Sequence, residues 1–177
     1  MNLSQPPIFA PSNEVTVRFQ DCDPFGHLNN ARYIDYFMNA REDHLRDAYG
    51  FYLFDHSQQH NESWVVTKSQ IAYLFPARVA EVVTITTRLI NHSEQALTVE
   101  GVMLDKDGGR VKAVLWFDLA YISLASGRPV RHTPPLMEMF HTLRDRAVEY
   151  VVSGFDERVE ALKQFYRQQR KQPATTQ

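Results

Sequence analysis

Between Ala31 and Ala40, seven of ten residues are apolar or aromatic: Ala31, Tyr33, Ile34, Tyr36, Phe37, Met38 and Ala40. The polar positions Arg32, Asp35, Asn39, Glu42 and Arg46 recur at helical spacing and form one narrow seam. A helix with so thin a polar stripe is enclosed by protein on most sides. Asn29 or Asn30 can cap its start, and Gly50 can end it. Arg41 is out of place. It lies one heptad from Ile34 and on the side of Leu45, which puts it on the apolar face. An arginine there can snorkel to solvent or bond backbone carbonyls.

The rest of the chain supplies strands to enclose that helix. Over residues 14–20, Val15, Val17 and Phe19 alternate with Thr16, Arg18 and Gln20, the pattern of a half-buried strand. Residues 51–62 read as a connecting loop that Phe51, Tyr52, Leu53 and Phe54 could pack down. Residues 64–75 are rich in β-branched and aromatic side chains and stop at Pro76. Residues 79–90 alternate again, Asn91 to Gln95 form a turn, and residues 96–104 make a further strand. Asp107-Gly108-Gly109 is a hairpin signal before a long strand over 111–124. Short turns between these four strands imply antiparallel order.

The expected class is therefore α+β, with a five-stranded antiparallel sheet wrapped around one long helix. One helix cannot cover both faces of such a sheet. The leftover apolar surface suggests an oligomer, with a two-fold dimer as the default. After Arg131 the character changes. Thr133-Pro134 resembles a helix start, and Leu136, Met137, Phe140 and Leu143 follow at helical spacing. Residues 156–170 form a second helical pattern with Val159, Leu162, Phe165 and Tyr166 on one face. The expected organisation is one domain over 1–131, with 1–12 as an extended arm. Residues 132–177 are a C-terminal helical extension, not an independent domain, and its end (171–177) should fray.

Composition narrows the function. The chain has 177 residues, formal charge −2 and a pI near 6.4, so neither nucleic acid nor an anionic membrane is the expected partner. Cys22 is the only cysteine, so there is no internal disulfide and no thiolate metal site. No metal or cofactor is expected. No apolar run is long enough to span a bilayer, and residues 1–12 lack the basic and apolar regions of a signal peptide. A cytoplasmic protein without membrane insertion is the expectation.

Chemistry is concentrated in residues 20–33. Two carboxylates, a thiol, a histidine and two asparagines lie between strand and helix, with Pro24 and Gly26 to shape the backbone. A carboxylate can act on an acyl compound as nucleophile or general base. It then needs a donor for the developing oxyanion, and N–H groups at a helix N-terminus provide one. Asp, Asn, Pro and Gly are equally the residues of an ordinary turn. Cys22, on the alternating pattern, points away from Asp21 and Asp23 and reads as packing. Asp35 reads as the partner of Arg32 in an i, i+3 ion pair.

The run Asp21-Cys22-Asp23-Pro24-Phe25-Gly26-His27-Leu28-Asn29-Asn30, with Tyr33 and Arg41, resembles the motif of hotdog-fold acyl-CoA thioesterases of the 4-hydroxybenzoyl-CoA thioesterase-like family. The resemblance runs more loosely through Pro76-Ala77 and Glu81 to about Arg131. It implies a homodimer, or a dimer of dimers, whose two sheets join and whose sites lie at the interface. It implies Asp23 as the catalytic carboxylate, the backbone N–H of Asn30 as oxyanion donor, and His27 as a shaping or water-positioning group. Gly26, Asn29, Tyr33 and Phe37 would then adjoin the substrate, an acyl-CoA or an acyl carrier protein thioester.

Two departures stand out. Met38 and Asn39 occupy positions where related long-chain enzymes carry Glu. The Asn91–Gln95 turn has no Lys or Arg, where some aryl-CoA enzymes hold CoA phosphates; Arg88, Lys106, Arg110, Lys112, Arg128 and Arg131 remain as basic candidates. The alternatives are a hotdog hydratase or dehydratase using His27 with a carboxylate, and a non-catalytic acyl-CoA-binding protein.

Overall fold

The computed structural model describes residues 7–169, so the expectations for residues 1–6 of the arm and for the frayed end fall outside the described residues. Strand β1 (Ser12–Thr16) leads through two 3-10 turns (Phe19–Asp21 and Asn30–Arg32) into helix α1 (Tyr33–Tyr49). Helix α2 (Leu53–His60) precedes β2 (Glu62–Tyr73), β3 (Val82–His92), β4 (Ala96–Asp105) and β5 (Val111–Ser123), and helices α3 (Pro134–Leu143) and α4 (Phe155–Gln169) close the chain. The sheet order is β1-β3-β4-β5-β2, antiparallel throughout. This is a hotdog fold, with the sheet as the wrap and α1 inside it.

The apolar face of α1 explains its place. Tyr33, Tyr36, Phe37 and Ala40 are buried against Val83, Ile85, Met103, Leu115 and Phe117 of the sheet. Gly50, at φ +62, ends α1 in the left-handed conformation, and its N–H bonds the carbonyls of Arg46 and Leu45. At the centre of the contact, Gly101 lets Phe37 touch the sheet: a Cβ there would stand 2.6 Å from the Phe37 ring.

Three local expectations shift. Residues 53–60 form a helix, not a loop. The polar run gives no helical period. What holds the turn is His56, buried with its Nε2 2.8 Å from the Tyr121 hydroxyl. β1 stops at Thr16, short of residue 20, because the Arg18 N–H is taken by the Tyr36 hydroxyl at 2.9 Å and the chain turns at Phe19. β3 begins at Val82, not 79, because Ala80 adopts φ +62 and breaks the alternation.

The other face of the sheet is covered by the chain itself. Val148, Phe155, Val159 and Leu162 pack on Ile90, Val102, Leu104, Val114 and Trp116. Much of the apolar surface that the sequence leaves for a second copy is therefore filled by the C-terminal segment. Glu100 lies under this cover with 0% exposure. Arg158 holds it through two 2.8 Å bonds, Trp116 donates to it at 3.1 Å, and Arg88 bridges it to Asp145. Two cations and two carboxylates thus balance one another inside the layer.

Candidate active site

The loop from Cys22 to Leu28 is a small closed structure. Its ends meet in a Cys22–Leu28 bridge, the Asp23 N–H donates to the His27 carbonyl at 2.8 Å, and the Gly26 N–H donates to the Asp23 carbonyl at 3.0 Å. Gly26 sits at φ +74, a conformation L-residues rarely take, so the turn requires glycine. Asp23 lies at the centre. Its Oδ1 accepts from the N–H groups of Phe25 (2.9 Å) and His27 (3.0 Å). Its Oδ2 has no hydrogen-bond partner among the described residues. One oxygen is thus anchored and the other is open.

The loop rests on the segment before β3. The Leu28 N–H donates to the Ala77 carbonyl at 2.8 Å, and the Val79 N–H donates to the Gly26 carbonyl at 2.9 Å. That segment is itself held. The Ala77 N–H donates to the Tyr33 hydroxyl at 3.1 Å. Buried Lys112 donates to the Pro76 carbonyl at 3.0 Å and pairs with Glu81 at 2.6 Å.

The helix start forms the other wall. Asn29 Oδ1 accepts from the Ala31 N–H at 3.0 Å and acts as the cap. The Asn30 N–H makes no hydrogen bond with a described residue, as expected for a first-turn amide. The Asn30 carbonyl is fixed by the Tyr73 hydroxyl at 2.9 Å. The positive end of the α1 dipole lies at this start.

Asp21 is occupied elsewhere. It accepts from the Tyr36 hydroxyl at 2.9 Å and faces Arg32 at 3.8 Å. Cys22 donates to the Arg18 carbonyl at 3.3 Å, and burial together with the carboxylates of Asp21 and Asp23 pushes its pKa up, so it stays a thiol. Arg32 and Asp35 form the expected pair at 3.0 Å.

Asp23, Gly26 and His27 therefore share one loop, with Asn29 and Asn30 at the adjoining helix start. Tyr33 and Phe37 lie beneath, in the core; Phe37 is 0% exposed. The pKa of Tyr33 is raised by burial. Sequence reasoning missed Tyr73 as a support; it had Glu81 in the family resemblance and Lys112 among the phosphate candidates, whereas the structure pairs the two with each other under the loop. Nothing local marks these contacts: each forms only after the sheet has closed. Among the described residues no group of three or more His, Cys, Asp or Glu side chains could hold a metal. No helix there is long and apolar enough to cross a membrane.

A family model described as the thioesterase-like superfamily matches residues 17–140. The chain belongs to that superfamily. This thioesterase-like chain is 34% identical over 76 residues to the long-chain acyl-CoA thioesterase FadM of Escherichia coli (strain K12). The match covers 43% of this chain and 55% of that relative, so it spans about half the relative's length. Among solved structures, the probable thioesterase YbaW from Escherichia coli superposes with a TM-score of 0.65 at 25% identity, covering 76% of this chain and 98% of that one. A putative oleoyl thioesterase from Lactobacillus plantarum superposes with a TM-score of 0.68 at 26% identity, covering 81% of this chain and 56% of that one.

Proposed function

We propose that this thioesterase-like chain hydrolyses acyl-CoA thioesters to a free carboxylic acid and CoA. The observation that carries the reading is the Asp23 carboxylate. Two N–H groups hold Oδ1 while Oδ2 is open, seven residues before the free amide of Asn30. The similarity to a relative named for long-chain acyl-CoA supports the same substrate class.

In this reading Asp23 is nucleophile or general base. As nucleophile, Oδ2 adds to the thioester carbonyl carbon, the carbon–sulfur bond breaks, and CoA leaves as a thiolate that takes a proton from water. Water then cleaves the acyl-aspartyl anhydride and restores the carboxylate. As base, Asp23 takes a proton from the water that attacks the carbonyl. On both routes the Asn30 N–H and the α1 dipole stabilise the oxyanion, an effect worth about 3 kcal/mol per donor. His27 has no hydrogen-bond partner for its ring among the described residues and is free to position water. Gly26 and Asn29 adjoin the substrate, and Tyr33 and Phe37, buried in the core, support the site from beneath.

A homodimer is part of the proposal. β2 is an edge strand with Val65 and Val66 exposed, and Phe25 on the loop is 82% exposed. Pairing of two β2 edges would extend the sheet and close the strand edge.

The experiment is an acyl panel of CoA and acyl carrier protein thioesters, read by thiol release, with Asp23→Asn alongside. Turnover on at least one thioester and a loss of about 100-fold or more in the variant, with the fold intact, are expected. Near-normal turnover by Asp23→Asn would overturn the mechanism. Label from heavy-oxygen water entering Asp23 in a single turnover identifies the covalent route.

A further inference from the structure

Arg41 is 7% exposed, yet its guanidinium has no hydrogen bond or ion pair with any described residue. It borders a cavity of about 60 Å³ between the C-terminal half of α1, the inner face of β3 and β4, and α3. The carbonyl-bonding account open to an arginine on an apolar face does not describe it. One turn further on, His44 is 4% exposed and borders the same cavity. Its Nδ1 lies 2.7 Å from Thr87 Oγ1, and its Nε2 is buried without a partner. In the tautomer in which Thr87 donates to Nδ1, Nε2 carries a proton and is a second unused donor. Tyr49 and Arg88 also border it, Arg88 paired with Glu100 and Asp145, and the rest of the wall is apolar, including Leu97, Val99, Phe140 and Leu143.

A buried, unpaired charge is strongly unfavourable and calls for a counter-charge. Asp43 and Asp47 pair with Arg46, and Glu100 and Asp145 with Arg88 and Arg158. Glu42, on the exposed seam, is the one carboxylate whose charge acts on Arg41, and it makes no ion pair with it. Burial lowers the pKa of Arg41 to about 10, which leaves it charged at neutral pH. A neutral water could satisfy one donor but not the charge.

We infer that this cavity is a second ligand site, and that it takes a small monocarboxylate with a short alkyl tail. Arg41 and His44 meet the carboxylate oxygens, and the leucine, valine and phenylalanine walls meet the alkyl group. The volume is several times the roughly 10–15 Å³ that one water needs by the same measure, which leaves room for acetate or propionate. Arg41 lies eight residues beyond Tyr33, about 12 Å along the helix axis from that first residue of α1 and farther still from Asn30. Phe37, packed on Gly101, stands between the two. The site does not depend on the proposed thioesterase chemistry.

The test is propionate titration of the full chain at constant ionic strength, with gluconate, too large for the cavity, as the balancing anion. Binding is read by line broadening of carbon-13-labelled propionate and by thermal melting. Expected are saturable broadening and a saturable rise in Tm, each weakened about tenfold or more in Arg41→Gln, which removes the charged hydrogen bonds. Met139→Phe keeps the charge but fills the cavity, and should lose binding equally; it carries the test if Arg41→Gln does not fold. Asp23→Asn should bind propionate as the unaltered chain does, which separates this site from the proposed catalytic one. No saturable response in the unaltered chain, or an undiminished response in Met139→Phe, overturns the inference.

Discussion

The Tyr73 hydroxyl donates a 2.9 Å hydrogen bond to the backbone carbonyl of Asn30, 43 residues earlier in the chain. The same ring meets Tyr33 edge-on, with centroids 5.1 Å apart. The last residue of the edge strand β2 thus fixes the backbone at the start of α1, beside the amide proposed as oxyanion donor. Tyr73→Phe keeps the ring contact and removes only the hydroxyl. The expected result is a kcat lowered about fivefold with KM nearly unchanged, and a stability loss of about 1 kcal/mol. Steady-state kinetics with denaturant unfolding checks it. An unchanged kcat at the same stability loss would make the bond a scaffold contact only.

Gly101 and Phe37 are in contact because the glycine has no side chain. In Gly101→Ala the new Cβ meets ring atoms of Phe37 at 2.6 and 2.9 Å, so α1 or the ring must move. Overpacking of this kind costs about 1–3 kcal/mol. Urea unfolding should show a lower midpoint, and Phe37→Leu in the same chain should recover part of the loss. Full stability in Gly101→Ala alone would mean that α1 is not seated as described.

Glu100 and Arg158 carry the polar part of the contact between α4 and the sheet. Removing one partner leaves a buried charge incompletely compensated, so Arg158→Ala should destabilise by about 3 kcal/mol or more. The pair Glu100→Leu with Arg158→Met removes both charges and should be much closer to the unaltered chain. Calorimetry on the three proteins decides between them. Equal losses in the single and double variants would show that packing area, not charge, dominates there.

Acidification should weaken the fold well before the carboxylates titrate. Burial lowers the pKa of His44, His56 and His132 below the ordinary 6.5. His92 is lowered by burial and then by His141, Arg144 and His132 around it. For each of these groups the unfolded chain binds a proton that the folded chain resists. Stability is therefore complete above about pH 6.5 and falls as the pH drops from there through the folded values. Melting between pH 8 and 5 should show Tm flat above about 6.5 and declining below it. His92→Asn should flatten that decline, because it removes a group whose pKa the fold holds below its ordinary value. A Tm that holds constant down to pH 5 would contradict this account.

The local patterns predict the elements that a local period can encode. The single polar seam of residues 32–46 marks α1 as enclosed, and alternation marks the strands. Turn chemistry marks the loop at Gly26, the cap at Asn29 and the αL end at Gly50. Helix α2 escaped because its polar run has no period and its stability lies in the burial of His56 against Tyr121, 65 residues away. The end of β1 was misplaced for a similar reason. Its alternation continues to residue 20, but a hydroxyl from α1 takes the amide that would have extended the strand.

For the site, sequence alone determined which residues are close along the chain: a carboxylate, a glycine turn and a capped helix start. It also placed Arg41 on the apolar face. The tertiary structure decided how the two loop aspartates differ, with Asp21 held by Tyr36 and Asp23 keeping one oxygen open. It decided that Tyr73 meets Asn30, that the chain's own C-terminal helix covers the second face of the sheet, and that Arg41 is buried without an ion pair to a described residue. The division has a physical cause. Dihedral preference, capping and amphipathic period act within a few residues, whereas hydrogen-bond partners and charge compensation depend on which distant segments the closed sheet brings together.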